Sequence, residues 1–280
     1  MTWAATRQLI DGAVEGRNAV LAFNVIGLEH AEGIVAGAER ADTPVLLQVS
    51  ENAILFRGAA RPLLAACAEL ARAAVVPVGI HLDHMTRPDL TRDLIEHAGE
   101  YGIGSVMIDG SALDYAKNVT ETLAVAELAR SHGLWVEAEL GAIGGKGGAH
   151  APGVRTDPAE AVAFVSETHV DGLAVAIGST HGAQSGTTRL DLALLKGLAE
   201  AVTVPLVLHG SSGVSLDELA LAIKGGIRKI NVGTALNRAA LSAIAENGFA
   251  RHGQADPRPT LETARSAVAA EVFTFLDALT

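Results

Sequence analysis

Hydrophobic positions along the chain fall into two kinds of segment that alternate from one end to the other. The first kind is a short, nearly continuous apolar run rich in Val, Ile and Leu: Ala19–Asn24, Pro44–Val49, Pro77–Asp83, Ser105–Ile108, Leu134–Glu139, Gly172–Ile177, Pro205–His209 and Lys229–Val232. The second kind is longer and Ala/Leu/Glu-rich, as expected of helices over Glu29–Ala41, Leu63–Ala74, Pro88–Gly99, Tyr115–His132, Pro158–Thr168, Leu192–Ala201, Ser215–Lys224 and Thr234–Asn247. Thr86 before Arg87-Pro88 and Asp157 before Pro158 read as helix start signals. Strands that are apolar throughout, rather than alternating, are covered on both faces. Eight strand–helix units in 280 residues predict an α/β fold, a closed (β/α)8 TIM barrel. An open doubly wound sheet also alternates strand and helix. It calls for a glycine-rich phosphate fingerprint after the first strand, and Phe23-Asn24-Val25-Ile26-Gly27 is not one. No linker or shift in composition divides the chain, so residues 1–280 read as a single barrel domain, its tail a turn at Asp256-Pro257-Arg258-Pro259 followed by a closing helix.

Composition narrows the function classes. With 21 basic against 32 acidic residues the formal charge is −11, which argues against a nonspecific hold on nucleic acid or an anionic membrane. No apolar run approaches the ~20 residues of a membrane span, and the N-terminus lacks the pattern of a secretory signal, so a soluble cytoplasmic protein is expected. A lone Cys67 within a helical stretch excludes an internal disulfide and a cysteine metal cage, and reads as a small core thiol.

The reacting groups of an eight-stranded α/β barrel stand where strands end. Strand three ends in His81-Leu82-Asp83-His84, strand five in Glu137-Ala138-Glu139 and strand seven in His209, and His181 follows strand six. Three imidazoles meeting at one mouth share a divalent ion well, and three protein ligands with one open position suit a catalytic zinc; His84, His181 and His209 are the candidates. Glu139 is a fourth or alternative ligand. Glu137, two residues back, points deeper and reads as a structural hydrogen-bonding group inside the barrel. Asp83 can face the mouth together with His84 only if the strand ends there. It is then either a proton carrier beside the bound substrate or a partner orienting His81 or His84. The seven other histidines, among them His30, His97, His132 and His169, are expected at the surface.

A second group of residues suits an anion. Gly210-Ser211-Ser212-Gly213 follows strand seven and Asn231-Val232-Gly233-Thr234 closes strand eight, the two positions where such barrels often hold phosphate. Small residues let backbone N–H groups face the ligand, the hydroxyls add donors, and the helix opening after Thr234 adds a favourable dipole.

At these residues the sequence resembles the class II metal-dependent fructose-bisphosphate aldolases, most closely their tagatose-bisphosphate-type branch. The resemblance runs nearly end to end through Ala22-Phe23-Asn24-Val25, Gln48-Val49-Ser50-Glu51, His81-Leu82-Asp83-His84, Val136 through Gly141, Gly144-Gly145, Ala176 through Gly182, Pro205 through Gly213, and Lys229-Ile230-Asn231 with Thr234. It implies that His84, His181 and His209 hold Zn2+ and that Asp83 is the acid/base on the bond-breaking hydroxyl. It implies that Gly182, Gly210, Ser212, Asn231 and Thr234 seat the phosphate of a dihydroxyacetone-phosphate half, that Asn24 and Ser50 touch substrate, and that Arg258 reaches a distal phosphate. Backbone carbonyls near Gly145, Gly182 and Gly210 would hold a monovalent cation, Na+ or K+. The implied activity is reversible cleavage of a phosphorylated ketose to dihydroxyacetone phosphate and an aldehyde, a lyase of carbohydrate metabolism and glycolysis, in a homodimer or homotetramer.

The chain also departs from the family pattern. Lys146 after Gly144-Gly145 is followed by Gly147-Gly148-Ala149-His150 where the family has an acidic pair, so a loop carboxylate is missing. Glu51, Asp109 and His150 are the candidates to replace it. Gln184 and Thr188 stand where the family has Tyr and Pro, and the family's Gly-Ser ending is absent. Two other functions compete with the aldolase: a relative that binds sugar phosphate without turning it over, and a zinc hydrolase on the same barrel. The hydrolase lacks a His-x-His at the end of the first strand and leaves the paired phosphate loops without a purpose.

Overall fold

The computed structural model describes residues 3–140, 154–179, 188–248 and 256–280. Eight parallel strands close in sequence order: β1 (Val20–Asn24), β2 (Val45–Ser50), β3 (Val78–Met85), β4 (Ser105–Ile108), β5 (Trp135–Glu139), β6 (Gly172–Ala174), β7 (Leu206–Leu208) and β8 (Ile227–Val232), with β8 paired back to β1. The helices are α1 (Thr6–Gly16), α2 (Leu28–Arg40), α3 (Glu51–Arg57), α4 (Arg61–Ala73), α5 (Pro88–Glu96), α6 (Ala98–Tyr101), α7 (Tyr115–Ser131), α8 (Pro158–Thr168), α9 (Leu192–Ala201), α10 (Leu216–Gly225), α11 (Thr234–Ala243) and α12 (Arg258–Leu279). This is the (β/α)8 architecture that the alternation predicts.

The strands are two-sided in a way their apolar composition conceals. One set of positions, including Leu21, Phe23, Leu47, Ile80, Leu82, Val106, Val136, Leu173, Leu208, Ile230 and Val232, packs outward into the main core beneath the helices. The alternate set points into the barrel, and there the lower layer is apolar: Val20, Ala22, Leu46, Trp135, Ala174 and Val207 form a second cluster with Ile10 and Ala13 of α1. Helix α1 thus stoppers the N-terminal end of the barrel. Above that layer the inward positions turn polar, with Gln48, His81, Glu137 and Lys229 all fully buried. Where most TIM barrels fill their interior with aliphatic side chains, this one carries ionic and amide groups directly beneath the mouth.

Several boundaries differ from the sequence expectation for local reasons. Helix α1 buries only Thr6, Ile10 and Ala13, a short stripe on a helix whose other face, Gly12 and Gly16 included, is exposed. The seven-residue α3 starts because the Ser50 hydroxyl accepts the Ala53 N–H at 3.2 Å. The helix expected from Pro88 to Gly99 breaks at His97. Asp157 caps α8 as expected, accepting from Ala159 and Glu160, but Thr86 does not cap α5: its hydroxyl donates to Glu51 at 2.7 Å instead. Among the described residues no helix is long and apolar enough to cross a membrane.

Candidate active site

The centre of the mouth is built on an irregularity in β3. The strand does not end at Asp83; it runs on to Met85, with a register shift against β4 between Leu82 and Met85. His84 sits inside that shift with φ of 49°, in the left-handed region. For a residue with a Cβ this costs about 1–2 kcal/mol, and the distortion turns Asp83 and His84, which a regular strand would send to opposite sides, toward the same cleft.

His84 Nδ1 is hydrogen-bonded to Asp109 Oδ2 at 2.7 Å, and Asp109 is itself held by the Ser111 N–H (3.1 Å) and hydroxyl (2.6 Å). That leaves His84 Nε2 on the side of Asp83, 3.9 Å from its Oδ1. His209 is arranged the other way round. Its Nε2 is hydrogen-bonded to Glu137 Oε1 at 2.8 Å, and its Nδ1 faces Glu139 Oε2 at 3.4 Å. The two rings meet edge to face with centroids 4.9 Å apart. His84, Glu139 and His209 each bring one ligand atom to a common point, all within 4.8 Å of one another.

The charges agree with that geometry. Burial works against protonation of His84, but the carboxylates of Asp83, Asp109 and Glu139 outweigh it and push the imidazole up to about 10. His209 is raised for the same reason, against burial, by Glu137 and Glu139. Burial opposes ionisation of Asp83, yet the surrounding cationic groups, His84 first, hold its carboxyl below the usual range. The pocket is therefore one in which carboxylates demand positive charge at the point where the imidazole nitrogens converge. A divalent cation fits this donor set, two imidazoles and a carboxylate, with each imidazole anchored through its other nitrogen by a carboxylate, as metal-binding histidines generally are.

A cleft of about 620 Å³ opens over this cluster. Its walls include Asn24, Ser50, Asp83, His84 and Glu139 on one side, and Gly210, Ser211, Ser212, Asn231, Gly233 and Thr234 on the other. After Gly210, at φ 65°, the chain makes a single 3₁₀ turn over Ser211–Gly213. The Ser211 hydroxyl donates to the Asn231 carbonyl at 2.5 Å, tying the two loops together, and the Ser212 hydroxyl accepts the Ala235 N–H at 3.1 Å. Arg238 braces the turn from behind by donating to the Ser212 carbonyl at 2.8 Å. The result is a turn rich in small residues beside the N-terminus of α11, an arrangement suited to an oxyanion.

A family model, fructose-bisphosphate aldolase class-II, matches residues 4–280. The chain belongs to the class II fructose-bisphosphate aldolases. Among solved structures this aldolase superposes on the YdjI aldolase from Escherichia coli K12 with TM-score 0.83 and 32% identity, covering 99% of this chain and 97% of that one. A putative fructose-1,6-biphosphate aldolase from Coccidioides immitis matches with TM-score 0.86 and 28% identity over 98% and 95% of the two chains. Fructose-bisphosphate aldolase from Campylobacter jejuni, at 22% identity and TM-score 0.79 over 98% and 93%, bears on the fold alone.

Not every expected residue reaches the aldolase cleft. Val232 is fully buried in the outer core, because β8 alternates Lys229 and Asn231 inward with Ile230 and Val232 outward. Arg258 opens α12, exposed, with its guanidinium on Asp256 at 2.7 Å, and is not among the residues lining the cleft. His181, Gly145, Gly182 and His150 lie outside the described residues. Of the candidates to replace the missing loop carboxylate, Glu51 is engaged with the Thr86 N–H, the Thr86 hydroxyl and the Arg87 N–H, and Asp109 with His84 and Ser111. Both carboxylates brace the mouth. His97, His132 and His169 are exposed as expected, and His30 is half-buried against Asn237. His81 corrects the surface expectation: it is fully buried, bonded to Ser105 at 2.8 Å, and burial with the neighbouring Lys229 ammonium lowers it to about 3. Glu137 lies inside the barrel as expected.

Proposed function

We propose that the protein is a zinc-dependent aldolase that reversibly cleaves a phosphorylated ketose to dihydroxyacetone phosphate and an aldehyde. The observation that carries this reading is the convergence of His84, Glu139 and His209 within 4.8 Å beside a buried, ionised Asp83. His181 completes the ligand set in this reading. A zinc ion held there supplies Lewis-acid stabilisation of the negative charge that develops on the ketose oxygens as the carbon–carbon bond breaks.

The chain's own residues do the rest. Asp83 takes the proton from the C4 hydroxyl in cleavage and returns it to the aldehyde oxygen in condensation; its carboxyl, held below the usual range against burial, by His84 first, is in the accepting form at neutral pH. The N–H groups around Gly210–Ser212 and at the start of α11 hold the phosphate, with the Ser212 and Thr234 hydroxyls as further donors. Asn24, Ser50 and Asn231 line the space between and hold the substrate's oxygens. The buried floor excludes water from the reacting carbons.

Metal analysis of the purified protein followed by a coupled triose-phosphate assay over fructose, tagatose and deoxy-ketose phosphates, with and without a chelator, tests this reading. About one zinc per chain and chelator-sensitive release of dihydroxyacetone phosphate are expected. Bound metal and ligand-dependent stabilisation with no triose phosphate from any substrate would refute turnover and leave a sugar-phosphate-binding protein.

A further inference from the structure

The barrel interior below Asp83 holds an ionic group that the proposed reaction does not use. Lys229 is fully buried, and its Nζ lies 2.8 Å from Glu137 Oε2, 2.6 Å from Asn231 Oδ1 and 3.5 Å from Gln48 Oε1. Neutralising Glu137 does not by itself account for the lysine, since a buried ion pair can generally be replaced by apolar side chains of similar volume with little loss of stability. What an ammonium supplies and an apolar group cannot is polarity: it has donors only. Any primary amide that faces it must present its oxygen, and the NH2 group then emerges on the amide's other side.

Two amide arms run upward from Lys229 on this rule. In the first, Asn231 accepts from Nζ and its Nδ2 donates to Asp83 Oδ1 at 3.2 Å. In the second, Gln48 accepts from Nζ, its Nε2 donates to Asn24 Oδ1 at 3.1 Å, and Asn24 Nδ2 donates to Asp83 Oδ2 at 3.2 Å. The arms leave one ammonium and end on the two oxygens of one carboxylate.

We propose that Lys229 is the positioning residue for Asp83, acting through Asn231 on one side and Gln48 with Asn24 on the other. The inference rests on the proton-carrying role proposed for Asp83 and extends it to a residue that never touches substrate. With one fixed donor on each oxygen, the carboxylate plane is set and its remaining lone pairs face the cleft. Without the ammonium, Asn231 and Gln48 lose the donor that anchors their oxygens from below. Asp83, which only accepts, still selects the NH2 end of Asn231, but nothing then fixes the depth and tilt of the amide beneath the carboxylate.

The double variant Lys229→Met/Glu137→Gln tests this without leaving a lone buried charge, and Gln at 137 can still accept from His209 Nε2. The side-chain NH2 signals of the seven asparagines in asparagine-labelled protein provide a readout independent of activity. The signals of both Asn24 and Asn231 are expected to move in the double variant, whereas in Gln48→Leu only Asn24 moves; an otherwise unchanged backbone spectrum confirms the fold. Measured against Glu137→Gln alone, in which the anchor of His209 is altered in the same way, the double variant is expected to lose about a further 10- to 100-fold in kcat, the scale of a small misplacement of a reacting group, with the metal content of the single variant. Wild-type NH2 positions for both asparagines in the double variant overturn the proposal, as does a kcat unchanged from that of Glu137→Gln or a loss confined to KM. Should the wild-type protein cleave no ketose phosphate, the functional reading fails while the spectra still decide the role of Lys229.

Discussion

Replacing Lys229 alone by Met should destabilise the protein in a pH-dependent way, because it strands Glu137 in a fully buried site. The wild-type carboxylate is held far below the usual range: burial opposes ionisation, but Lys229 at 2.8 Å and His209 at 2.8 Å outweigh it. Breaking a buried ion pair by removing one partner costs about 3–5 kcal/mol. His209 remains beside Glu137 in the variant, which places the expected loss near the lower end, about 3 kcal/mol. At about 2.1 cal/mol/K per residue, a chain of 280 residues has an unfolding entropy near 0.6 kcal/mol/K, so the midpoint should fall by about 5 °C. The sign with pH follows from linkage. In the wild type the depressed pKa of Glu137 contributes stability that is present above the unfolded value and lost only as pH falls through the low folded value. In the variant the loss of the ammonium moves the folded pKa up from that low value, with His209 and His81 still beside the carboxylate, so the carboxyl takes up a proton at a higher pH than in the wild type and the penalty shrinks there. The gap between wild type and variant should therefore be widest toward pH 8 and shrink as pH falls below the variant's folded pKa, because the unfolded state is common to both proteins and cancels. Thermal melts of both proteins at one scan rate and several pH values measure it. A gap under about 1 kcal/mol at pH 8, or one that does not change with pH, would refute the view of Lys229 and Glu137 as a buried pair.

Asp83→Ala should lower kcat by about 10²–10⁴-fold while metal stays bound at the wild-type stoichiometry, since in the proposed reaction Asp83 moves a proton and it is not among the residues of the candidate metal cluster; loss of metal in that variant would reassign it. Because carboxylate neighbours overcome burial to raise His84 to about 10, the ring is protonated in the metal-free protein at pH 7.5 and must release that proton to bind metal. Zinc titrations in two buffers of different ionisation heat should show at least one proton released, and an affinity that rises with pH. The same raised pKa stabilises the metal-free protein fully below about pH 6.5, and that contribution fades as pH climbs through about 10. Gly172→Ala should be destabilising by about 1–3 kcal/mol, read as a lowered melting midpoint, because a Cβ there would sit 2.4 Å from the Trp135 ring in the packed lower layer of the barrel.

The barrel and the positions of most chemical groups were legible in the chain, and the reason is the two-period alternation itself. All eight strands form on the apolar runs, since β-branched runs of that length have few other ways to be buried on both faces, although β6 uses only Gly172–Ala174 of a run that extends to Ile177. Which inward positions are polar was legible only in part. Glu137 stands two residues before Glu139 and so shares its face, a period-2 argument that the sequence supports and the structure repeats in Lys229 and Asn231. That Glu137 meets Lys229 across the barrel depends on strand register, and register between β5 and β8 is set by closure of the whole sheet. His81 illustrates the loss. In isolation it is a histidine near a strand end, and only the pairing of β3 with β4 reveals Ser105 as its partner. Val232 fails for the opposite reason: a list of consecutive residues after a strand ignores alternation, and every second one belongs to the outer core. His84 shows a third limit. A non-glycine residue at positive φ is uncommon enough that no propensity predicts it, yet the irregularity it makes in β3 is what brings Asp83 and the His84 imidazole to the same cleft. Where local preference is violated at a cost, some other part of the structure must hold the violation in place. Here the holding group is Asp109, whose bond to His84 Nδ1 fixes the ring from the neighbouring strand end.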